Sequence, residues 1–199
     1  MAQWKNRFER VLIESIPSMK IHQTELEIVR ASVLEIAADA IVNAANIGMR
    51  GGGALDGVIH RAAGIEMKRE LEIVAPSGAK PAEVVVTRAY NLPQKWVFHV
   101  AGPVWKDAKA LECDELLAKS YRGCLEEAQN RELESLAFPS LSTGVFAFPL
   151  ERAAPIAIQT AIEFLVGNPQ TTLRRVTFAM FGGTEFHHFE RALRKLENV

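Results

Sequence analysis

Cysteine is scarce in this 199-residue chain, which has only Cys113 and Cys124. The two lie eleven residues apart on a predicted helix. Neither a zinc-binding pattern nor a disulfide framework has that spacing. We therefore expect both cysteines to be reduced, partly buried thiols.

Long hydrophobic runs are also missing. No apolar run approaches the roughly 18 residues that a membrane-spanning helix needs. The amino terminus lacks the order of basic and then apolar residues that is typical of a signal peptide. We expect a cytoplasmic protein that has no membrane partner.

Neither sign of charge is in excess. The 23 basic residues nearly balance the 24 acidic ones, and the net charge is −1. Such a chain has no broad positive field for nucleic acid, so no nucleic-acid partner is expected. If the ligand is an anion, local backbone geometry must hold it.

Hydrophobic periodicity predicts alternating strands and helices. Short runs rich in Val, Ile and Phe are typical of strands covered on both faces; they occur at 25–33, 39–43, 83–89, 96–100, 135–140 and 175–181. Helical spacing occurs at 54–74, 111–131, 154–166 and 185–197. This alternation predicts one layered α/β domain with a largely parallel sheet.

The domain is expected to span 24–199, after an extension of residues 1–23. Trp4, Phe8 and Val11 share one face of a short helix predicted in that extension. Pro155 falls inside a predicted helix and favours a late helix start or a kink.

The richest stretch runs from 41 to 64 and reads IVNAANIGMRGGGALDGVIHRAAG. A glycine-rich loop that enters a helix directs backbone N–H groups and the positive end of the helix dipole at one point, which favours a phosphate or carboxylate. Asp56 and His60 are four residues apart and share a helix face. Asn43 and Asn46 follow a strand at its carboxyl end, where open α/β sheets place their ligands.

A second loop, 139–149, repeats this pattern with PSLSTGVFAFP. Its small residues would let the backbone approach a second phosphate, and Phe146 or Phe148 would cover a ribose. Neither loop has the Gly-Lys-Ser/Thr ending of nucleotide triphosphatases or the G-x-G-x-x-G fingerprint of dinucleotide sites.

Four motifs in order, DAIVNAAN, GGGALDGVIHRAAG, YNLPQKWVFHVAGPVW and PSLSTGVFAFPLERAA, resemble the macro domain family of ADP-ribose-binding proteins. The resemblance covers about residues 24–195. It implies a three-layer α/β/α sandwich on a mixed six-stranded sheet, with a cleft for ADP-ribose.

The resemblance also implies an activity. In the hydrolase branch the residue at Asn46 contacts the distal ribose, the residue at Asp56 helps to activate water, and the residue at His60 supports that site. This branch deacetylates O-acetyl-ADP-ribose and removes ADP-ribose from modified proteins. The expected partners are therefore ADP-ribose or its derivatives and ADP-ribosylated proteins. No metal or other cofactor is expected. The expected ligand-binding residues are Ser32, Val33, Asn43, Gly51, Gly52, Gly53, Ser142, Thr143, Gly144, Val145, Phe146 and Phe181.

Three positions depart from the family pattern. Ser32 replaces an aspartate that normally accepts a hydrogen bond from the adenine amino group, and a neutral acceptor is about half as strong as a charged one. Ala54 and Ala147 replace glycines, and they fit the turns if φ remains negative.

Each candidate residue also has an ordinary structural interpretation. Asn43 would stabilise its loop by hydrogen bonding to the backbone. Asp56 would be a first-turn acid that favours the helix dipole, and His60 would pack on its helix. His99 is expected to be a satisfied core histidine, while Phe181 would either stack on adenine or lie in the core.

Three other functions compete with hydrolysis. One is recognition of ADP-ribose without turnover, and another is phosphatase action on ADP-ribose 1″-phosphate in the same cleft. The third, RNA binding, gains nothing from the balanced charge.

Overall fold

The computed structural model describes residues 17–197, so the helix predicted around Trp4 and Phe8 lies outside the described residues. In the described part, seven strands form one sheet: β1 Ser18–Ile21, β2 Thr24–Val29, β3 Ala40–Ala44, β4 Val84–Arg88, β5 Trp96–Val100, β6 Ser135–Phe138 and β7 Arg175–Ala179. The α-helices are α1 Ala54–Ala63, α2 Ile65–Val74, α3 Ala110–Asn130, α4 Leu150–Gly167 and α5 Gly183–Glu197. Short 3-10 helices span Val33–Glu35 and Asp107–Lys109.

The sheet is mixed, as expected, with the strand order β1-β2-β7-β6-β3-β5-β4. The five inner strands are parallel to one another, whereas β1 and β4 at the two edges pair antiparallel with β2 and β5. The expected number of six strands is one too few. The additional strand is β1, four residues that the sequence reading assigned to the extension before the domain; so short a run carries little periodicity.

Helices cover both faces of the sheet, which confirms the three-layer sandwich. On one face α3, α4 and α5 enclose an aromatic core in which Tyr121 contacts Phe138 and Phe178 at ring-centroid distances of 5.3 and 5.9 Å. On the other face α1 and α2 bury Ile59 and Met67 completely. The continuous apolar strands follow from this double burial.

Two helix boundaries differ from those predicted. The helical pattern over 54–74 forms two helices that meet at Gly64, where φ is +92° and an added Cβ would lie 2.6 Å from the Asn91 amide nitrogen. Of the late start and the kink expected as alternatives for the helix with Pro155, the late start is wrong, because the helix begins at Leu150 and the Ala153 N–H already donates to Pro149 O at 2.8 Å. Pro155 lies in the second turn, above the exposed Glu151.

Cys113 and Cys124 are free and buried on α3, as expected. Burial raises the pKa of the Cys124 thiol well above its ordinary range. In residues 17–197, no helix has both the length and the apolar character needed to cross a membrane.

Candidate functional site

The two glycine-containing loops lie at the same edge of the sheet. The first follows the carboxyl end of β3, and the second follows the carboxyl end of β6, its direct neighbour. Parallel strands place their carboxyl ends together, so this edge is where an α/β sheet binds ligands. Helix α1 begins directly after the first loop and α4 directly after the second.

The carboxylate of Asp56 lies at the centre of this edge, in the first turn of α1, and the residue is 5% exposed. Asn43 Nδ2 donates to its Oδ1 at 2.7 Å, and His60 Nε2 lies 3.3 Å from the same oxygen. Asn46 Nδ2 contacts Oδ2 at 3.4 Å. The structure thus brings the four candidate residues of the 41–64 stretch into one cluster.

The two oxygens of Asp56 are held unequally. Among the described residues, Oδ1 has two close nitrogen neighbours, whereas Oδ2 has a single long contact, from Asn46, and faces Gly52. A Cβ on Gly52 would lie 3.1 Å from Oδ2 and 3.3 Å from Asn46 Nδ2. Glycine therefore leaves room for a small group beside Oδ2.

Asn46 also fixes the loop itself. Its Nδ2 donates to Gly51 O at 3.1 Å, and its Oδ1 accepts from the Gly48 N–H at 2.9 Å. Gly51 has a φ of +78°, in the left-handed region that glycine enters without strain. Asn46 is thus both a loop anchor and a contact of the carboxylate.

Behind Asp56, a chain of hydrogen bonds continues into the sheet. Asn43 Nδ2 lies 3.0 Å from His99 Nδ1, and His99 Nε2 lies 2.9 Å from Thr87 Oγ1. Complete burial, together with the nearby His60, lowers the pKa of His99 to about 3, although the Asp56 charge opposes this shift. His99 is a satisfied core histidine, as expected.

The hydrogen-bonded connection from His99 to Asp56 through Asn43 was not predicted from the sequence. It exists because β3 and β5 are neighbours in a register that pairs Asn43 with His99. A polar residue in each of two apolar strands was the available signal, but strand order is needed to connect them.

The second loop contains Ser142, which is 7% exposed and has a φ of +64°. Within residues 17–197 its hydroxyl is buried without a hydrogen-bond partner, while its carbonyl accepts from the Phe148 N–H at 3.0 Å. A Cβ on Gly102 would lie 2.2 Å from Ser142 Oγ, so glycine at 102 permits this close approach. Gly102 is thus a further residue of the candidate site, and it was not predicted from the sequence.

The two alanines that replace glycines do not meet the condition of a negative φ. Ala54 has a φ of +49° and Ala147 a φ of +54°. Both loops need a left-handed residue at these positions, and an L-residue there is strained by roughly 1–2 kcal/mol. The hydrogen bond from Ala147 N to Gly144 O, 2.9 Å long, holds one of the two turns.

The aromatic residues near the second loop divide into buried and exposed. Phe148 is 2% exposed and its ring centroid lies 4.7 Å from that of Trp105, so Phe148 belongs to the core and does not cover a ribose as suggested. Phe146 is half-buried, and its carbonyl accepts from Trp105 N at 2.9 Å. Phe181 is 81% exposed, which rules out its core interpretation, and Val145 is 85% exposed.

Ser32 caps the 3-10 helix Val33–Glu35. Its hydroxyl oxygen accepts from Leu34 N at 3.3 Å, and its own N–H donates to Glu35 Oε2 at 3.0 Å. This capping box is visible as Ser-x-x-Glu in the sequence, where it was missed. Val33 is buried, and the oxygen expected to face adenine already has one backbone partner.

Two residues outside the motifs position the loops. The Tyr121 hydroxyl, on α3, accepts from the Leu141 N–H at 3.0 Å directly before Ser142. Gly78 has a φ of +77°, and a Cβ there would lie 2.2 Å from Ile47 O. Chain segments distant in sequence therefore determine the shape of the site.

A different polar cluster lies at the amino end of β3. Asp39 Oδ2 accepts from Glu134 N at 2.9 Å, from Ser135 N at 3.0 Å and from Ser135 Oγ at 3.1 Å, while Oδ1 lies 2.8 Å from Lys95 Nζ. Burial by itself raises the pKa of Asp39, but these hydrogen bonds and the Lys95 charge hold it below its usual value. A cavity of about 360 Å³ lies beside this cluster.

Titratable groups elsewhere show no metal-binding arrangement. In the part of the chain from 17 to 197, no three His, Cys, Asp or Glu side chains lie close enough together to hold a metal ion.

Comparisons with known proteins agree on the family. The model of the Macro domain family matches residues 42–157. A macro domain-containing protein of Methanosarcina mazei is 41% identical over 169 residues, which cover 84% of this chain and 88% of that protein.

Solved structures show the same fold. The Oceanobacillus iheyensis macrodomain, solved with ADP, is 34% identical with a TM-score of 0.84 and covers 92% of this chain and 97% of its own. It has also been solved with a glycine, an aspartate or an asparagine substituted. The Trypanosoma brucei macrodomain in complex with ADP-ribose is 35% identical with a TM-score of 0.77, over 84% of this chain and 68% of that one. On the strength of its fold, its two loops and these matches, the chain belongs to the macro domain family.

Proposed function

We propose that this protein binds ADP-ribose and hydrolyses its esters, namely O-acetyl-ADP-ribose and mono-ADP-ribose linked to acidic side chains of proteins. The observation that carries the proposal is the unequal setting of the Asp56 carboxylate. Oδ1 is held by Asn43 and flanked by His60, whereas Oδ2 faces the space beside Gly52 with one long contact. Such a carboxylate is positioned to act on a small group, as a general base does on water.

The macrodomain complexes with ADP and ADP-ribose support the choice of ligand. The asparagine, glycine and aspartate substituted in the O. iheyensis protein are separated by seven and three residues, the same spacing as Asn46, Gly53 and Asp56 in this chain. The glycine loop and the Ser142–Gly144 turn would hold the diphosphate through backbone N–H groups. The distal ribose would then lie against Asn46 and Asp56.

In the proposed reaction, Asp56 Oδ2 takes a proton from water while the water oxygen attacks the carbonyl carbon of the ester. The C–O bond to the ribose oxygen then breaks, and the ribose oxygen receives the proton from Asp56. ADP-ribose and a carboxylic acid are released. Positioning of the ester contributes alongside the base, whose own contribution is typically about 10²–10⁴-fold.

The test is turnover of O-acetyl-ADP-ribose by the wild type and by Asp56→Ala, with mass spectrometry of free ADP-ribose as the readout. Calorimetry with ADP-ribose establishes that both proteins bind ligand. We expect product from the wild type and a loss of about 10²-fold or more in the variant.

The same assay separates the competing functions. Binding without product, from this ester and from an ADP-ribosylated protein, would contradict hydrolysis and favour a recognition module. Release of inorganic phosphate from ADP-ribose 1″-phosphate, with the esters untouched, would favour the phosphatase. Absence of ADP-ribose binding would contradict the ligand itself and direct attention to Ser32.

A further inference from the structure

We propose that Thr87 and His99 are positioning residues for hydrolysis, which hold the Asp56 carboxylate in its reactive orientation through Asn43. This inference rests on the proposed function, but its physical content is a directed chain of hydrogen bonds. The bonds measure 2.9 Å from Thr87 to His99, 3.0 Å from His99 to Asn43 and 2.7 Å from Asn43 to Asp56.

The direction of every bond follows from the carboxylate. An ionised carboxylate only accepts hydrogen bonds, so the Asn43 group that faces Asp56 must be its NH₂. The second N–H of that group points at His99 Nδ1, which therefore carries no proton and accepts. The proton of the neutral ring lies on Nε2, from which it is donated to Thr87 Oγ1.

Because the network is buried, the donor and acceptor roles along it are fixed. Thr87, His99 and Asn43 have no solvent exposure, and Asp56 is 5% exposed, so water cannot replace a lost partner. The lowered pKa of His99, caused mainly by burial, keeps the ring neutral near pH 7.

The side-chain carbonyl of Asn43 supports the same orientation of the amide, in which both N–H groups donate. Within residues 17–197, Asn43 Oδ1 is buried and without a hydrogen-bond partner. Unsatisfied buried acceptors are destabilising and few in folded proteins. A half-turn of the amide would exchange the positions of Oδ1 and Nδ2. The amide oxygen would then face Asp56 Oδ1, so two acceptors would oppose each other. Asn43 therefore keeps one unsatisfied acceptor so that both its N–H groups can serve Asp56 and His99.

The sharpest variant is Thr87→Val, which removes the acceptor of the His99 Nε2–H and keeps the shape of the side chain. A ring that shifts its proton to Nδ1 then faces the Asn43 NH₂ with a second donor. Asn43 must turn, and Asp56 loses its 2.7 Å hydrogen bond. Thr87→Ser retains the hydroxyl and serves as the rescue.

Thr177→Val is the matched control. Thr177 is a buried threonine in the same sheet, on β7, and its hydroxyl donates to Glu27 Oε1 at 2.7 Å, away from the Asp56 network. Any general effect of removing a buried strand hydroxyl appears in both valine variants.

Two measurements test the inference, namely kcat and the identity of the protonated nitrogen of His99. For Thr87→Val we expect kcat to fall about 10-fold, the effect of one orienting hydrogen bond, with ADP-ribose affinity changed less than about 2-fold. Long-range ¹H–¹⁵N NMR is expected to show His99 protonated on Nε2 in the wild type and a population protonated on Nδ1 in Thr87→Val. Thr87→Ser should restore both properties, and Thr177→Val should change neither.

A wild-type His99 protonated on Nδ1 would overturn the inference. So would a folded Thr87→Val with unchanged kcat, or a loss of kcat in Thr177→Val that equals it. If the wild type hydrolyses no ester, the proposed function fails separately. The NMR arm then decides whether the directed chain to Asp56 exists, because it needs no turnover.

Discussion

The two ends of strand β3 each carry an aspartate network, and the two networks differ in how fully the carboxylate is used. Asp39, before the strand, accepts from two backbone N–H groups and one hydroxyl on one oxygen and pairs with Lys95 on the other. Asp56, beyond the strand, has the Asn43 amide and His60 near one oxygen and, in the part of the chain from 17 to 197, only a 3.4 Å contact on the other.

The difference separates a structural carboxylate from the one that we propose to be reactive. Saturated by donors, Asp39 ties β3 to the start of β6 and has little capacity left for a ligand. Asp56 is fixed in place by one oxygen, which leaves the other for the proposed reaction. The two residues are of the same type, and Asp56 is the more buried, with 6% of its side chain exposed against 18% for Asp39. The distribution of donors, and not exposure to solvent, therefore carries the distinction.

The largest effect is expected where the unused oxygen is changed. Asp56→Asn can still accept from Asn43, but it presents an NH₂ group in place of one oxygen and cannot act as a base. We expect ester hydrolysis to fall about 10²-fold or more, with the free energy of unfolding changed by less than about 1 kcal/mol. Activity that persists in a folded variant would remove Asp56 from the reaction.

The corresponding substitution at Asp39 is expected to lower stability. Asp39→Asn loses the ion pair with Lys95 and replaces an acceptor oxygen by a donor near Glu134 N or Lys95. We expect stability in urea unfolding to fall by at most about 1.5–3 kcal/mol, the range for hydrogen bonds to a charged group, because Asp39 is only partly buried and Lys95 is exposed. The kcat should be nearly unchanged. If the two asparagine variants exchange these effects, the comparison of the two ends is wrong.

Acid should weaken the Asp39 end selectively. The pKa of Asp39 is held below its ordinary value in the folded protein, so its contribution is complete above the unfolded pKa of about 3.9 and is lost as the pH falls through the lower folded pKa. Urea unfolding between pH 5 and about pH 2.5 should therefore show a smaller acid-induced loss in Asp39→Asn than in the wild type. Parallel curves for the two proteins would contradict this linkage.

The smallest expected effect concerns the second loop at the Asp56 end. Ser142→Ala removes a buried hydroxyl that has no partner among residues 17–197, so we expect stability to rise by about 1 kcal/mol. ADP-ribose binding should weaken at the same time if the hydroxyl binds the ligand, as its place in the proposed diphosphate loop predicts. Calorimetry and thermal unfolding measure the two changes, and a gain in both would assign the hydroxyl no role in binding.

Local elements could be predicted well from the sequence. Strand β5 was predicted with its observed bounds, and α3 within one residue at each end, because their hydrophobic patterns are strong. The clustering of Asn43, Asn46 and Asp56 also follows from local geometry, a strand end and a first helical turn.

Other parts required tertiary information. The pairing of Asn43 with His99 depends on the strand order, and no local pattern encodes which strands are neighbours. The left-handed φ values of Ala54 and Ala147 are imposed by loops whose ends are fixed by packing, against the intrinsic preference of alanine. Gly64 lies inside the helical pattern of 54–74, and only the structure shows that the chain turns there with a φ of +92° beside Asn91.

The left-handed backbone at Met49, Gly51, Ser142 and Ala147 also bears on the speed of ligand capture. These turns are held by hydrogen bonds within the protein, such as Met49 N to Asn46 O at 3.1 Å, so a ligand need not order them as it arrives. Association should then proceed without a slow conformational step. Differences in affinity among ADP-ribose derivatives are expected to reside in how long each remains bound.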